Sequence, residues 1–381
     1  MNTKALCVGV ILVTSFVIGC ASPPDLRQKY YDNKMLELSN IIVNQIDKNS
    51  DDFAQKNLYY ASSSLELGDE RRALEALGRT CVIADNIDLS GVGLPFAFSD
   101  KNKVMQGEPY ERSMAHLYRG ILLYRLGIRE NSEDYLNNAR ASFTKALEHD
   151  KATGDEKFRD DNALAHYLLG KAFLLLNDEG NARVAFEKCK QVFPTNSYVA
   201  LDKAQKNNFT LLIGVGVGPQ KVQGKGFYGI GATDEIVTYE PEQKDPQIYI
   251  DGTLCGKGEL ILDVNEQARH RSPQTAKVLA SMGRQVLKDQ LSRSIPIFGG
   301  MLASTESDLR CWDVIPAKIY LFNAQVSSGV HSVRIKFSGD NEESVKRYNQ
   351  TYYYLPIREN KPDNLYLFLS IKNKHNAGVK K

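Results

Sequence analysis

The sequence has few of the residues that carry most metal and redox chemistry. Its 381 residues include six cysteines, six histidines and one tryptophan, and no two cysteines form a CxxC pair. Zinc ribbons and thioredoxin-type redox sites need such pairs, so neither is expected. The HExxH motif of zinc proteases and the GxSxG motif of hydrolases are also missing. We therefore predict no catalytic site, no metal and no cofactor.

An excess of charge of one sign is lacking as well. The net charge is +2, with 25% of residues charged and 42% hydrophobic. A strongly basic face is the electrostatic footprint of nucleic-acid binding, so no nucleic-acid partner is expected. The composition is that of a globular chain, and its length allows two domains.

Long hydrophobic runs are missing apart from one at the N-terminus. Lys4 precedes an apolar stretch from Ala5 to Ile18, which is shorter than the about 20 residues of a transmembrane helix. A charged start, an apolar segment and small residues before a cut are typical of a secretory signal. Because Cys20 directly follows Gly19, the segment reads as a bacterial lipoprotein signal. The alternative is an ordinary signal peptide that contains a cysteine.

Cleavage of residues 1–19 would leave Cys20 as the lipidated first residue, on a tether over residues 20–28. Two acyl groups hold a protein stably on a membrane, whereas one does not. Ala21 and Ser22 follow, with no Asp beside the cysteine, which resembles lipoproteins that are sent on to the outer membrane. We expect a lipid-anchored outer-membrane protein on the periplasmic face.

The region over residues 29–208 is predicted to be helical and repetitive. Residues 163–196 fit the helix–turn–helix unit of tetratricopeptide (TPR) repeats, which is about 34 residues long. The matching residues are Gly170, Phe173, Ala182, Phe186, Cys189 and Pro194. Small residues are needed where the two helices cross, and large apolar ones fill the core. The alternative is a generic helical bundle.

Two weaker copies of the unit precede this one. The first covers residues 54–87 and the second starts at Ser113. The second copy fits only with seven inserted residues around Ile128–Asp134, and we expect these to lengthen its turn. Before the repeats, apolar residues from Tyr31 to Ile46 predict one amphipathic helix.

A stack of such repeats has a concave face, lined by one side of each first helix. By analogy with the repeat, we predict a partner-binding groove formed by Leu58, Leu117, Ile121, Tyr124, Leu164, Tyr167, Lys171 and Leu174. Apolar faces of that kind usually bind something. The groove could hold a segment of an envelope partner, or the chain's own C-terminal domain could cover it.

From about residue 209 the pattern changes to short apolar or alternating runs separated by Gly, Asp, Asn and Pro. This predicts a β-rich domain over residues 209–372. One helix is predicted inside it at Pro273–Arg293, and residues 373–381 form a basic tail. The predicted fold class is therefore α+β, with TPR-like helices followed by the β-rich domain.

The cysteines of the mature chain divide between the two parts. Cys255 and Cys311 both fall in the β-rich part and are candidates for a disulfide, because the compartment beyond the inner membrane is oxidising. Cys81 and Cys189 fall in the repeats, where buried free thiols are expected. His116 and His166 share one repeat position that usually packs an aromatic ring, so core packing is expected for both.

A glycine-rich stretch, residues 214–231, nearly copies a phosphate-binding loop. It has one residue too many between its glycines, and Gly226 stands where Ser or Thr should hold magnesium. No helix pattern follows, so no helix N-terminus is available for a phosphate. A loop between strands is the favoured interpretation over a nucleotide site.

Several segments carry a resemblance to a known family. They read GEPYER and AHLYRG, then DNALAHYLLGKAF, DLRCWDVIPAKI and GVHSVRI. In this order they resemble a family of TPR lipoproteins from Gram-negative envelopes. The resemblance implies N-terminal helical repeats, a C-terminal β domain and an envelope location, and it supplies no catalytic residues. Alone, GEPYER is best interpreted as a helix start, with Pro109 at the first turn.

The sequence thus predicts a scaffold or adaptor for an envelope assembly. Its groove would bind an envelope protein, and its lipid would bind the membrane. One alternative is a ligand-binding or hydrolytic β domain that uses residues 214–231. Another is an assembly factor for a secreted or surface polymer.

Overall fold

The computed structural model describes residues 26–46, 50–86, 105, 107–151, 160–225, 232–271, 308–338, 353–358 and 363–370. The predicted signal with Cys20, the predicted helix Pro273–Arg293 and the basic tail lie outside these residues. Within them, helices come first and strands follow from Phe209 onward. The fold class is α+β.

Nine α-helices precede the first strand in the described part of the chain. They are α1 (Leu26–Tyr31), α2 (Met35–Gln45), α3 (Phe53–Glu66), α4 (Glu70–Asp85), α5 (Pro109–Glu130), α6 (Glu133–Asp150), α7 (Ala163–Leu175), α8 (Glu179–Val192) and α9 (Leu201–Lys206). Three hairpins, α3–α4, α5–α6 and α7–α8, stack in sequence order. Each predicted copy of the repeat corresponds to one hairpin.

Close contacts between small and large residues hold two of these hairpins together. A Cβ atom on Gly120 would lie 2.4 Å from the ring of Phe143, and one on Gly170 would lie 2.9 Å from the ring of Phe186. Glycine is therefore required at both positions, since any side chain would push the two helices apart. These are the contacts between small and large positions that the repeat spacing predicts.

The seven residues inserted in the second hairpin lengthen a helix and not the turn. Helix α5 continues to Glu130, Asn131 takes a left-handed φ of 54°, and the side chain of Ser132 already caps α6. The prediction of a longer turn is wrong. The helix continues because Gly127 still packs against the partner helix, where a Cβ atom would lie 2.7 Å from Leu136.

The predicted first helix is split in two. Helix α1 ends at Tyr31 and α2 begins at Met35, and Asn33 between them has a φ of 62°. Asparagine tolerates this left-handed conformation and ends helices in it. The break lets the chain bend while both Tyr30 and Tyr31 stay buried in the core.

Ten strands are described, and they form two four-stranded sheets and a hairpin. They are β1 (Phe209–Val215), β2 (Gln220–Lys225), β3 (Ala232–Val237), β4 (Lys244–Ile250), β5 (Thr253–Lys257), β6 (Glu259–Asp263), β7 (Lys318–Ala324), β8 (Gly329–Ser338), β9 (Tyr353–Ile357) and β10 (Asn364–Ser370). The first sheet has the order β10-β1-β7-β6, and the second has the order β5-β4-β8-β9. Only β1 and β10 pair in parallel among these strands. Helix α10 (Val264–Arg271) follows β6.

The first sheet is the middle layer of three. Leu211 and Ile213 of β1 face the second sheet and share a core with its residues Ile248 and Ile335. Leu212, on the opposite face of β1, belongs to the larger core that the helices form. A strand covered on both faces reads as a continuous apolar run, as FTLLIGV does. The helices and the first sheet therefore share the larger core, and the two sheets enclose a second one.

Candidate functional site

The eight residues of the predicted groove lie on the first helices of the three hairpins. They are Leu58 of α3, then Leu117, Ile121 and Tyr124 of α5, then Leu164, Tyr167, Lys171 and Leu174 of α7. Leu174 is partly buried and the other seven are buried. The same core contains Leu212, Leu321 and Leu365 of the first sheet. The chain's own β-rich part thus covers this face, and the groove is not an open surface for a partner.

A buried carboxylate fixes the sheet to this face. Asp363, directly before β10, accepts hydrogen bonds from the Tyr124 hydroxyl at 3.0 Å and the Thr210 hydroxyl at 2.9 Å. The Lys171 ammonium lies 3.3 Å from the same carboxylate, and the two side chains are 4% and 1% exposed. Burial, with Asp363 beside it, raises the pKa of Tyr124 well above its usual range, so this hydroxyl remains a donor. We call these four residues the Asp363 cluster.

Tyr167 makes a further polar contact with the sheet. Its hydroxyl accepts a hydrogen bond of 2.7 Å from the side-chain amide of Asn323 in β7. Its ring meets Phe186 edge to face, with 5.7 Å between the ring centroids. Tyr124 and Tyr167, the two aromatic residues of the predicted groove, therefore bind the chain's own sheet.

A second carboxylate fixes the segment before β7 to the first helices. Asp313 forms an ion pair with Arg27 at 2.8 Å and accepts a hydrogen bond from the Tyr59 hydroxyl. The neighbouring Trp312 donates from its indole nitrogen to the Ser62 hydroxyl at 2.9 Å, and its ring meets Tyr118 edge to face. Trp312 is fully buried and packs between the helices and the β-rich part.

The GEPYER segment is a helix start that also holds the β-rich part. Glu108 caps α5 in a reciprocal capping box with Glu111, and Pro109 occupies the first turn. Glu111 also accepts the backbone N–H of Trp312, and Glu108 pairs with Lys221 of β2 at 2.8 Å. Burial raises the pKa of Glu111, against the opposing effects of Lys221 and of the hydrogen bonds that Glu111 accepts.

The predicted disulfide is absent. Cys255 and Cys311 are both free thiols, the first exposed on β5 and the second buried before β7. The prediction failed because it rested on a shared compartment and not on strand pairing; β5 pairs with β4 and not with the segment of Cys311. Cys81 and Cys189 are buried free thiols, as expected, and burial raises the pKa of Cys81 to about 12.

The described residues of the glycine-rich stretch are the end of β1, the connection over residues 216–219 and strand β2. Gly224 and Lys225 lie within β2 and pair with Thr233 and Ala232 of β3. A Cβ atom on Gly218 would lie 2.8 Å from the carbonyl oxygen of Ile315, so this glycine allows two backbone segments to approach closely. Residues 226–231 of the stretch lie outside the described residues.

A shallow cleft of about 190 Å³ opens between α5 and the end of the first sheet. Arg125, Arg129 and Arg358 line it. Glu70 pairs with Arg125 at 2.7 Å and with Arg129 at 3.1 Å. The positive charge of the cleft is therefore partly compensated by Glu70.

The outer face of the second sheet carries large exposed apolar side chains. Tyr354 of β9 is 71% exposed, Val330 of β8 is 68% exposed and Leu254 of β5 is 52% exposed. Residues opposite each other in antiparallel strands share a face, and Tyr354 lies opposite Ser332, two residues along β8 from Val330. Leu254 lies opposite Tyr249, which packs under Arg334. We call this surface the outer sheet face.

Histidines also gather in the described helices, which the sequence did not predict. His116 of α5 stacks on His149 of α6, with 5.1 Å between the ring centroids, and both rings face Asp85 at the end of α4. Burial lowers the pKa of His116 to about 4. Burial and the nearby charge of Arg112 lower the pKa of His149. Both shifts favour the neutral imidazole.

The two buried aspartates were missed in the sequence for different reasons. Asp313 stands between Trp312 and Val314, and an acid inside an apolar run signals a buried partner. Asp363 stands in the polar stretch RENKPDN, where nothing marks it as buried. A sequence search for acids flanked by large apolar residues would have found the first and not the second.

None of the helices in the described ranges is both long and apolar enough to cross a membrane.

No family model matches the chain, and neither does any curated protein sequence. Among solved structures, the crystal structure of MamA aligns with 13% sequence identity and a TM-score of 0.32, over 47% of this chain and 81% of that one. A likeness this distant assigns no function.

Proposed function

We propose that this protein is a lipid-anchored, non-catalytic scaffold of the bacterial envelope, built from TPR-type hairpins that carry a β sandwich. The observation that supports it best is the division between its two apolar surfaces. The concave helical face is filled by the chain's own sheet, while the outer sheet face is exposed. Exposed apolar patches of this kind mark interaction sites, so we place the contact with an envelope protein on the outer sheet face.

The anchor in this proposal is Cys20, at the outer membrane and on its periplasmic side. The cysteine after Gly19 and the following Ala21 and Ser22 support it. Helix α1 begins at Leu26, and an extended chain from Cys20 reaches at most about 20 Å. The scaffold would therefore lie close to the membrane surface.

The outer sheet face is tested by photocrosslinking in intact cells. A benzoylphenylalanine placed at Tyr354 should give one dominant adduct with an envelope protein. The matched control places the same group at Val184 of α8, which is 56% exposed and lies outside this face. Adducts of equal yield from both positions, or none from Tyr354, would contradict the proposal.

The anchor is tested separately by Cys20→Ser. We expect this variant, secreted behind an ordinary cleavable signal in place of residues 1–19, to lose incorporation of radioactive palmitate and to move from the membrane to the soluble periplasmic fraction, with its fold unchanged. The Tyr354 adduct should weaken in the same variant, because the protein is no longer concentrated at the membrane. A Cys20→Ser protein that still carries palmitate would disprove the assigned lipidation site.

A further inference from the structure

Three helices of the first two hairpins bring two histidines and one aspartate together. Asp85 is the last residue of α4, His116 lies in α5 and His149 lies near the end of α6. The Nε2 atoms of both histidines lie 3.4 Å from Oδ1 of Asp85. One ligand atom from each of the three residues lies within 4.8 Å of the others. It is the one such group of three in the part of the chain that the structure describes.

The imidazole of His116 is buried without a hydrogen bond. His116 is 1% exposed, and neither of its ring nitrogens makes a hydrogen bond. Burying a polar group without a partner costs free energy, so a buried imidazole in this state needs an explanation. His149 and Asp85, beside it, are open to solvent from the other side, with side-chain exposures of 15% and 35%.

The distances fit coordination better than hydrogen bonding. A 3.4 Å contact is long for a charged hydrogen bond. Ligand atoms around a tetrahedral ion with bonds of 2.0–2.1 Å lie about 3.3–3.4 Å apart. Both distances from the Asp85 oxygen therefore match edges of such a tetrahedron, and the ligand atoms of the two histidines lie within 4.8 Å of each other.

We propose that Asp85, His116 and His149 form a binding site for a divalent transition-metal ion of the zinc class. Neutral imidazoles and one carboxylate are the donor set that zinc and its neighbours prefer over magnesium or calcium. The set supplies three ligands, and the partial exposure of the aspartate leaves the fourth position open to water.

The surrounding cations are largely engaged. Arg119 donates to the Ser142 hydroxyl at 2.6 Å, and Lys145 pairs with Glu148 at 2.7 Å. Arg112 donates to the Gly107 carbonyl at 2.9 Å. These positive charges still oppose an incoming dication. In addition, the Nδ1 atom of His116 has no second partner to orient the ring, and loss of such a partner weakens metal sites about 10- to 100-fold. We therefore expect an exchangeable site with a Kd in the micromolar range.

The bound ion would link consecutive repeats. It would join the end of α4 to both helices of the next hairpin. Binding to the folded state alone stabilises a protein by mass action, so the ion would stiffen the stack that carries the β-rich part. The next repeat provides a natural comparison, because His166 occupies the position equivalent to His116 and meets a carboxylate, Asp160, at 3.1 Å, but no such group of three includes it among the described residues.

The test uses the untagged mature chain with Cys20→Ser, stripped of metal and titrated with zinc sulfate by calorimetry. We expect one equivalent of zinc to bind. At about 100 times the Kd, zinc should raise Tm by about 5 °C. Cobalt bound at the same site should show the intense visible d–d bands of a tetrahedral ion.

Two variants and a matched control decide the assignment. Asp85→Asn and His149→Gln change partly exposed side chains and should fold, and each should lower zinc affinity at least 10-fold and remove the cobalt bands. His166→Gln should leave both unchanged. The proposal is overturned if the mature Cys20→Ser chain with an intact site binds no zinc at 100 µM, or if either site variant loses less than threefold in affinity. A loss in His166→Gln as large as in the site variants would also overturn it.

Discussion

Tyrosines stand on two faces of this molecule, and the two faces have opposite roles. Tyr124 and Tyr167 lie on the concave side of the helices and are fully buried under the first sheet, whereas Tyr354 on the outer sheet face is 71% exposed. The sequence places the first two on the surface that TPR proteins use for partners. In this chain, that surface binds the chain's own first sheet.

The comparison shows what a repeat pattern does and does not predict. It predicts where a concave apolar face forms, because the packing of small and large residues sets the helix positions. It does not predict the occupant, because any apolar surface that complements the face can cover it. A β-rich part attached directly after α9 has a high local concentration and fills the face first.

The largest loss of stability should come from placing a charge on the concave helical face, which the first sheet covers. Tyr167→Asp removes a ring buried against Phe186 and leaves a carboxylate in the core. Burial of an unpaired charge added to the loss of a core aromatic should cost at least about 5 kcal/mol of the free energy of unfolding. We expect this variant to be unfolded or aggregated at 37 °C, as measured by circular dichroism and urea denaturation.

The matched substitution on the other face is Tyr354→Asp. This side chain is mostly exposed, so the free energy of unfolding of the variant should stay within about 0.5 kcal/mol of the wild type, while co-purification of the envelope partner after chemical crosslinking should be lost. If Tyr167→Asp folds normally, the concave face is not covered in solution and the groove would again be open to a partner.

The second effect concerns the ion pair inside the covered face. Lys171→Met should leave Asp363 as an uncompensated buried charge and destabilise the fold by about 3–5 kcal/mol. The double variant Lys171→Met with Asp363→Asn removes both charges while keeping an acceptor for Tyr124 and Thr210. It should recover much of the loss. Lys190→Met, which changes an exposed lysine of α8, is the control and should change little.

The third expected loss of stability is smaller, because the ion pair between Arg27 and Asp313 is partly open to solvent. The Arg27 side chain is 32% exposed, whereas that of its partner Asp313 is 2% exposed. Arg27→Ala should cost about 2 kcal/mol, less than Lys171→Met, since water can replace part of the guanidinium and Tyr59 still donates to the carboxylate. Equal losses in urea denaturation from the two variants would show that both ion pairs are equally shielded from solvent.

The helices were predictable because their signals are local. Gly120 and Gly170 mark the crossings, and the cap residues Asn162 and Asp178 mark the starts of α7 and α8. The exact bounds of α5 were not predictable, because residues 128–130 suit either a helix or a turn. Packing of Gly127 against Leu136 decides in favour of the helix.

The polar clusters were hardly predictable because they depend on pairs far apart in the chain. Asp363 meets Tyr124 and Lys171 only after the sheet has docked, and no local pattern records that meeting. His116 was expected in the core and is buried there, but its approach to His149 and Asp85 needs three helices in place. The sequence shows which residues are apolar enough to be buried; which polar groups they bring together depends on the tertiary structure.

The smallest expected effect on stability concerns a histidine–aspartate pair in the second sheet, the sheet with the exposed outer face. His331 of β8 contacts the Asp251 carboxylate at 2.6 Å through Nδ1 and the Ser327 carbonyl at 2.9 Å through Nε2. Both contacts favour the imidazolium, because each then receives an N–H, and the Asp251 bond raises the pKa of His331 above its usual value. Hydrogen bonds from His331 and from the Ser332 backbone lower the pKa of Asp251.

The sign of the pH dependence follows from these two shifts. A raised histidine pKa in the folded state gives stability that is complete below about pH 6.5 and is lost as the pH rises through the folded pKa. A lowered aspartate pKa gives stability that is lost as the pH falls below about 4. The pair should thus support the second sheet most between these limits, and only weakly, since it is solvent-exposed.

In NMR titrations the His331 ring should titrate above about 6.5 in the wild type and lower in Asp251→Asn. A ring that titrates alike in both proteins would mean that the contact does not persist in solution.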